Sequence, residues 1–154
     1  MQSKGQQSMK FLIKALTFSA MTLSFSVFAK TTIELYKSPT CGCCKEWAAI
    51  MEDKGYQVTI HQKRDWTSVK RKFGMPEQLK SCHTAVIDGY MIEGHVPESD
   101  VARLLKERPD NISGLSAPGM PQHSPGMAAP GQPYRDFSVI AFDKSGKMKL
   151  YNKY

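Results

Sequence analysis

TTIELYKSPTCGCCKEWAAIMEDKG, residues 31–55, changes its period half-way along. Through Lys37, the apolar Ile33 and Leu35 alternate with polar neighbours, which is the two-residue repeat of a strand. Ser38, Pro39 and Thr40 break that repeat. From Gly42 onward Cys44, Trp47, Ile50 and Met51 recur at the i, i+3, i+4 spacing of a helix with one buried face, and Gly55 is a natural stop. A strand, a tight turn, a cysteine cluster and a helix therefore follow in order. Three of the chain's four cysteines, Cys41, Cys43 and Cys44, sit at the junction.

Downstream, YQVTIHQ (56–62) is a second alternating strand. Asp65 can cap a following helix whose apolar positions are Trp66, Val69 and Phe73 and which ends at Gly74. TAVIDGYMIEG (84–94) places two short apolar runs about Asp88-Gly89, a strong hairpin signal. Pro97, Glu98 and Asp100 suit the first turn of a third helix, with Val101, Leu104 and Leu105 inward and Pro109 as the stop. The order is βαβαββα. With the cysteines at the first strand-to-helix junction, this α/β arrangement resembles the thioredoxin and glutaredoxin fold.

Residues 111–134, NISGLSAPGMPQHSPGMAAPGQPY, are rich in Gly, Pro and Ser, and no regular element is expected there. A loop wrapping the domain, carrying Met120, His123 and Met127, is the expectation. FSVIAFD and KMKLYNKY, around Lys144-Ser145-Gly146, then form an extra C-terminal β-hairpin over 136–153.

The 154 residues suit one domain with modest extensions, and no internal repeat is evident. Residues 1–29 hold Lys4, Lys10 and Lys14, no acid, and an apolar run ending in Val27-Phe28-Ala29. This reads as a secretory signal peptide cut before Lys30, leaving a single domain over 30–154. The apolar run of about fifteen residues falls short of the ~20 needed to span a bilayer, so no stable membrane insertion is expected after cleavage. Loss of the leader lowers the formal charge from +7 to +4. Without a concentrated basic, aromatic-interleaved patch, nucleic-acid binding is set aside.

The cysteines carry the chemistry. An exported protein meets an oxidising compartment, but adjacent Cys43 and Cys44 do not lend themselves to two structural disulfides, and a domain of this size needs no staples. Cys41, at the head of a helix, meets unsatisfied N–H groups and the positive end of the helix dipole, which favour the thiolate. Cys44, one turn on, is placed to resolve a mixed disulfide on Cys41. Cys41 and Cys44 are the candidate redox pair. Dithiol exchange has no need of Cys43. Thiolates crowded into one turn suit a soft cation, above all Cu(I), whereas zinc prefers a tetrahedron. In the thioredoxin-like pattern Cys82 and His83 fall where a cis-proline loop faces the Cys-x-x-Cys motif, here without the proline, and both are candidate ligands. Met120, Met127 and His123 would add thioether and imidazole donors. Met51 and Met91 read as core, and His61 and His95 as polar surface or turn residues.

SPTCGCCKEW, SCHTAVIDGYMIEGHVP and GLSAPGMPQHSPGM together closely resemble the CopG-type copper-resistance proteins of Gram-negative bacteria, over about residues 31–130. The resemblance implies a periplasmic thioredoxin-like protein that binds copper through its Cys-x-Cys-Cys motif. Cys41, Cys43 and Cys44 would then be ligands and Cys82 the fourth thiol, with thiolate-bridged binding of several Cu(I) ions. Two mechanisms fit: a copper oxidoreductase in which Cys41 and Cys44 exchange electrons with Cu(II)/Cu(I), and a Cu(I) scavenger or chaperone without turnover. A metal-free thiol-disulfide oxidoreductase is the alternative from another class. A periplasmic copper efflux or copper oxidase protein would be the partner.

Overall fold

The computed structural model describes residues 30–154, and the expected leader lies outside the described residues. The first strand, β1 (Thr32–Lys37), leads into helix α1 (Gly42–Asp53), which returns the chain to β2 (Gln57–Gln62), parallel to β1. Helix α2 (Thr67–Lys72) and a single 3-10 turn (Glu77–Leu79) precede the hairpin of β3 (His83–Ile87) and β4 (Tyr90–Glu93). Asp88 and Gly89 turn it with φ of 46° and 88°, the left-handed pair that a two-residue hairpin demands. Helix α3 (Glu98–Glu107) follows and ends on a left-handed Arg108 just before Pro109. The order βαβαββα is thus found over residues 32–107.

The segment 111–134 departs from expectation. Gly114–Ser116 form a short buried strand, β5, parallel to β4 and antiparallel to β6 (Ser138–Phe142). Three residues are too few to show a period, and Gly114 looks like a loop residue. It is there because strands crowd it: a Cβ would overlap the Met91 carbonyl and the Phe142 ring. β5 consequently draws the terminal hairpin of β6 and β7 (Met148–Lys153) into one seven-stranded sheet, ordered β2-β1-β3-β4-β5-β6-β7. Ile33, Leu35, Trp47, Met51, Ile92 and Leu115 fill the core that this sheet shares with α1 and α3. Among the described residues no helix is long and apolar enough to cross a membrane.

Helix α2 also differs in what it buries. Trp66, Val69 and Phe73 are half-buried, while Lys70 is 7% exposed. The reason lies across the sheet, where Lys70 Nζ donates to the fully buried Glu93 carboxylate at 2.7 Å. Glu93 also accepts from Thr84 Oγ1 (2.5 Å) and the Ser81 N–H (2.8 Å), and Trp66 Nε1 donates to Thr84 Oγ1 (2.9 Å). A buried carboxylate is tolerable only when saturated in this way. Asp65 serves α2 as anticipated, accepting from the Thr67 N–H (2.8 Å) and hydroxyl (2.7 Å).

Glu93→Ala leaves Lys70 buried without its partner, and a loss of ~3–5 kcal/mol is expected in urea denaturation. Lys70→Met combined with Glu93→Gln keeps the acceptor for Ser81 and Thr84 and is expected to recover most of it. A single Glu93→Ala costing under ~1 kcal/mol would show the network to be incidental.

Candidate metal centre

β1 and β3 pair antiparallel with Lys37 opposite His83, which brings the end of one strand against the start of the other. Cys41 stands four residues beyond Lys37, and Cys82 one residue before His83. The turn between is closed by the Cys41 N–H to the Ser38 carbonyl (3.3 Å) and by buried Lys37, whose Nζ donates to the same oxygen at 2.7 Å. Cys41 is the N-cap of α1 with no side-chain cap, so the free N–H groups of the first turn face the cysteine cluster.

Cys41 and Cys44 are joined as a disulfide, with Cα atoms 5.5 Å apart, and Cys43 and Cys82 are free. Cys43 Sγ lies 3.6 Å from Cys41 Sγ, and Cys82 Sγ lies 3.6 Å from Cys44 Sγ. All four sulfurs fall within 4.8 Å of one another. Cys44 is fully buried, and the other three are half-exposed.

His95 is the correction the structure makes. Expected at the surface, it is fully buried, with Nε2 3.0 Å from Cys82 Sγ. Its Nδ1 lies 2.7 Å from the Pro125 carbonyl. A carbonyl only accepts, so Nδ1 carries the hydrogen and the Nε2 lone pair faces the thiol. The sequence held the signal: a register counted from the Asp88-Gly89 turn pairs Ile87 with Tyr90 and Thr84 with Glu93, and continuing it sets Cys82 opposite His95.

His83 lies where it was anticipated, with Nδ1 3.5 Å from Cys82 Sγ and its ring packed on Trp47 and on His95. Its Nε2 is buried with no hydrogen-bond partner among the described residues. Burial, then the neighbouring His95, pushes the His83 pKa well below the usual histidine range, and burial also lowers that of His95. Both rings are neutral at physiological pH, the state in which imidazole can ligate. Soft sulfurs, neutral imidazoles and an orphaned ring nitrogen fit a soft metal.

The Gly/Pro/Met segment is docked on this site. A Cβ on Gly126 would stand 2.8 Å from the Trp47 nitrogen and 2.9 Å from the Cys43 carbonyl oxygen, so the loop lies directly on the first turns of α1. Pro125 holds His95, and Met127, next after Gly126, is half-buried. His123 stands apart, paired with Asp136 at 3.4 Å and in neither ligand cluster, and Met120 is 53% exposed. His61 pairs with Glu34 on the far edge of the sheet at 2.5 Å.

Fold and site define a mixed α/β protein with four clustered cysteines, able to hold a metal, at a strand-to-helix junction. Residues 79–127 match the family described as "Protein of unknown function, DUF411". Two solved structures, form 1 and form 2 of a copper resistance protein copG, each share 36% identity with the chain at a TM-score of 0.73. The matches cover 82% of this chain and 98–99% of theirs. No curated protein matches the chain. The chain belongs to this family, DUF411, together with the copper resistance protein copG.

Burial, reinforced by neighbouring Cys43, pushes the Cys82 pKa up to about 11. Its thiolate fraction at neutral pH is then on the order of 100-fold below that of an ordinary thiol. Iodoacetamide is expected to modify Cys82 in the metal-free protein correspondingly more slowly than an unhindered cysteine peptide, and mass-spectrometric time courses giving equal rates would contradict this burial.

Proposed function

We propose that this is an exported, periplasmic copper-resistance protein that binds Cu(I), several ions per chain, in a thiolate cluster of Cys41, Cys43, Cys44 and Cys82. The observation that carries the reading is four sulfurs within 4.8 Å of one another, backed by two buried neutral imidazoles. The family's solved copper resistance proteins support it. His83 and His95 can add nitrogen donors behind Cys82, and Met127 a thioether from the docked loop. Met120, next after Gly119, which pairs with Ser81, can add a second thioether, and His123 an imidazole once freed from Asp136.

The core over 32–107 is read as thioredoxin-like, supported by its element order and by the sheet order β2-β1-β3-β4. In such a frame the Cys41–Cys44 disulfide gives the site a redox role. The reduced pair can pass one electron to each of two Cu(II) ions, yielding two Cu(I) and the disulfide, with both thiol protons released. Cys43 and Cys82 remain as thiols to hold the product. A periplasmic efflux or copper oxidase protein would then receive the metal.

Reduced, metal-free protein titrated anaerobically with Cu(I) against a competing chelator is expected to show more than one tightly bound copper in native mass spectrometry. Cys43→Ser is expected to weaken binding at least tenfold, about 1.4 kcal/mol. One weakly held copper or none, with Cys41 still freely alkylated, overturns the reading. Anaerobic Cu(II) separates the two mechanisms: the redox role expects two Cu(I) per disulfide formed, whereas a scavenger without turnover leaves Cu(II) unreduced.

A further inference from the structure

Much of the chain's positive charge gathers beside the cysteines. Strand β2 ends at Gln62, opposite Lys37, and the Lys63 N–H donates to the Lys37 carbonyl at 3.0 Å. Lys63 and Arg64 therefore leave the sheet next to the Ser38-Pro39-Thr40 turn that delivers Cys41. On the other approach Lys80 stands two residues before Cys82, with the Gly119 N–H bonded to its carbonyl at 2.9 Å. Arg71, on α2, lies in the same patch. The Thr67 N–H and hydroxyl, and after them the charges of Arg71 and Lys80, hold the Asp65 carboxyl below its ordinary range.

Between Lys63 and Lys80 the exposed cations are Lys63, Arg64, Arg71, Lys72 and Lys80, against two acids, Asp65 and Glu77. Asp65 is occupied with Thr67, and Glu77 is paired with Lys80 at 3.4 Å. Among the described residues no carboxylate lies within ion-pair distance of Lys63, Arg64 or Arg71. The opposite side of the site is different: residues 120–134, which close it, contain no Lys, Arg, Asp or Glu. Positive charge beside a site for a cation works against that ligand, so copper itself does not account for the rim. What a one-sided basic rim favours is an acidic surface arriving at the site.

We propose that the rim of Lys63, Arg64, Arg71 and Lys80 is the docking surface for an acidic protein that exchanges copper with the half-exposed cysteines. The inference rests on the copper reading above and states which kind of partner that site meets. Exposed cations add little to the strength of a complex. Their effect is on how often an acidic acceptor reaches Cys41 and Cys43 in a productive orientation, tenfold or more at low salt. Screening confines that effect to charges within about 10 Å at ~0.1 M salt. The lysines of β7, at the far edge of the sheet, raise the net charge without guiding a partner to the cysteines.

The test uses two synthetic copper acceptors of equal length with the same methionines, one spaced by glutamate and the other by lysine. Stopped-flow transfer of Cu(I) from the loaded chain is expected to be at least tenfold faster to the acidic peptide at low salt, and to lose that advantage at high salt. Arg64→Glu combined with Arg71→Glu is expected to abolish the preference with Cu(I) affinity undiminished. Lys149→Glu combined with Lys153→Glu changes the net charge equally at the far edge and is expected to keep it. Fluorescence anisotropy of the labelled peptides with metal-free chain is expected to show the same order, so the rim is tested whether or not copper loads. A chain that takes up no Cu(I) overturns the copper reading, whereas equal binding of the two peptides overturns the rim. A loss of preference in the β7 variant as large as in the Arg64/Arg71 variant overturns it as well. So does binding of the wild type to phosphatidylglycerol vesicles without any preference between the peptides, which would make the rim a membrane surface.

Discussion

The antiparallel pairing of β1 with β3, in the register that sets Lys37 opposite His83, is the constraint on which the site depends. Because side chains alternate along strands, a slip of one residue would turn His83 out of the core and carry Cys82 away from α1. The register is held from both sides. Ile33, Leu35, Ala85 and Ile87 are fully buried on the strands themselves, and Trp47 ties α1 to the segment after β4 by donating Nε1–H to the Val96 carbonyl at 2.9 Å. Hydrophobic burial thus fixes the distance between two cysteine-bearing segments that are distant in sequence.

Polar groups finish what the core begins. Glu93 holds the Ser81 N–H, and through Lys70 and Thr84 it anchors the stretch that delivers Cys82. Pro125 and Gly126 bring the late loop onto α1 and onto His95, closing the site from the other side. The outcome is a compact group of sulfurs, one fully buried and three at the boundary with solvent, with neutral imidazoles behind them. Such an arrangement is able to hold a soft metal, because its sulfurs are already held near contact.

Much of this was legible in the residues. The change of period around Cys41, the Asp88-Gly89 turn and the third helix each announced themselves through local chemistry, and the motif position placed Cys82 and His83 near the first three thiols. β5 was illegible, since a three-residue strand exists only through its neighbours. Lys70 was passed over because its burial depends on Glu93, twenty-three positions away. His95 was misread by treating a histidine after Glu93-Gly94 as a turn residue, although the hairpin register already set it opposite Cys82. Composition identified the Met-bearing loop but gave no means of telling Met127, beside the docked glycine, from exposed Met120 and from His123, which pairs with Asp136.

The central claim is that the first turn of α1 and the Cys82 segment act as one sulfur-lined copper site. Copper X-ray absorption on the Cu(I)-loaded chain tests it most directly. The account expects a first shell dominated by sulfur, with copper–copper scattering from bridging thiolates. A shell of nitrogen and oxygen alone, unchanged when Cys82 is replaced by Ser, would contradict it.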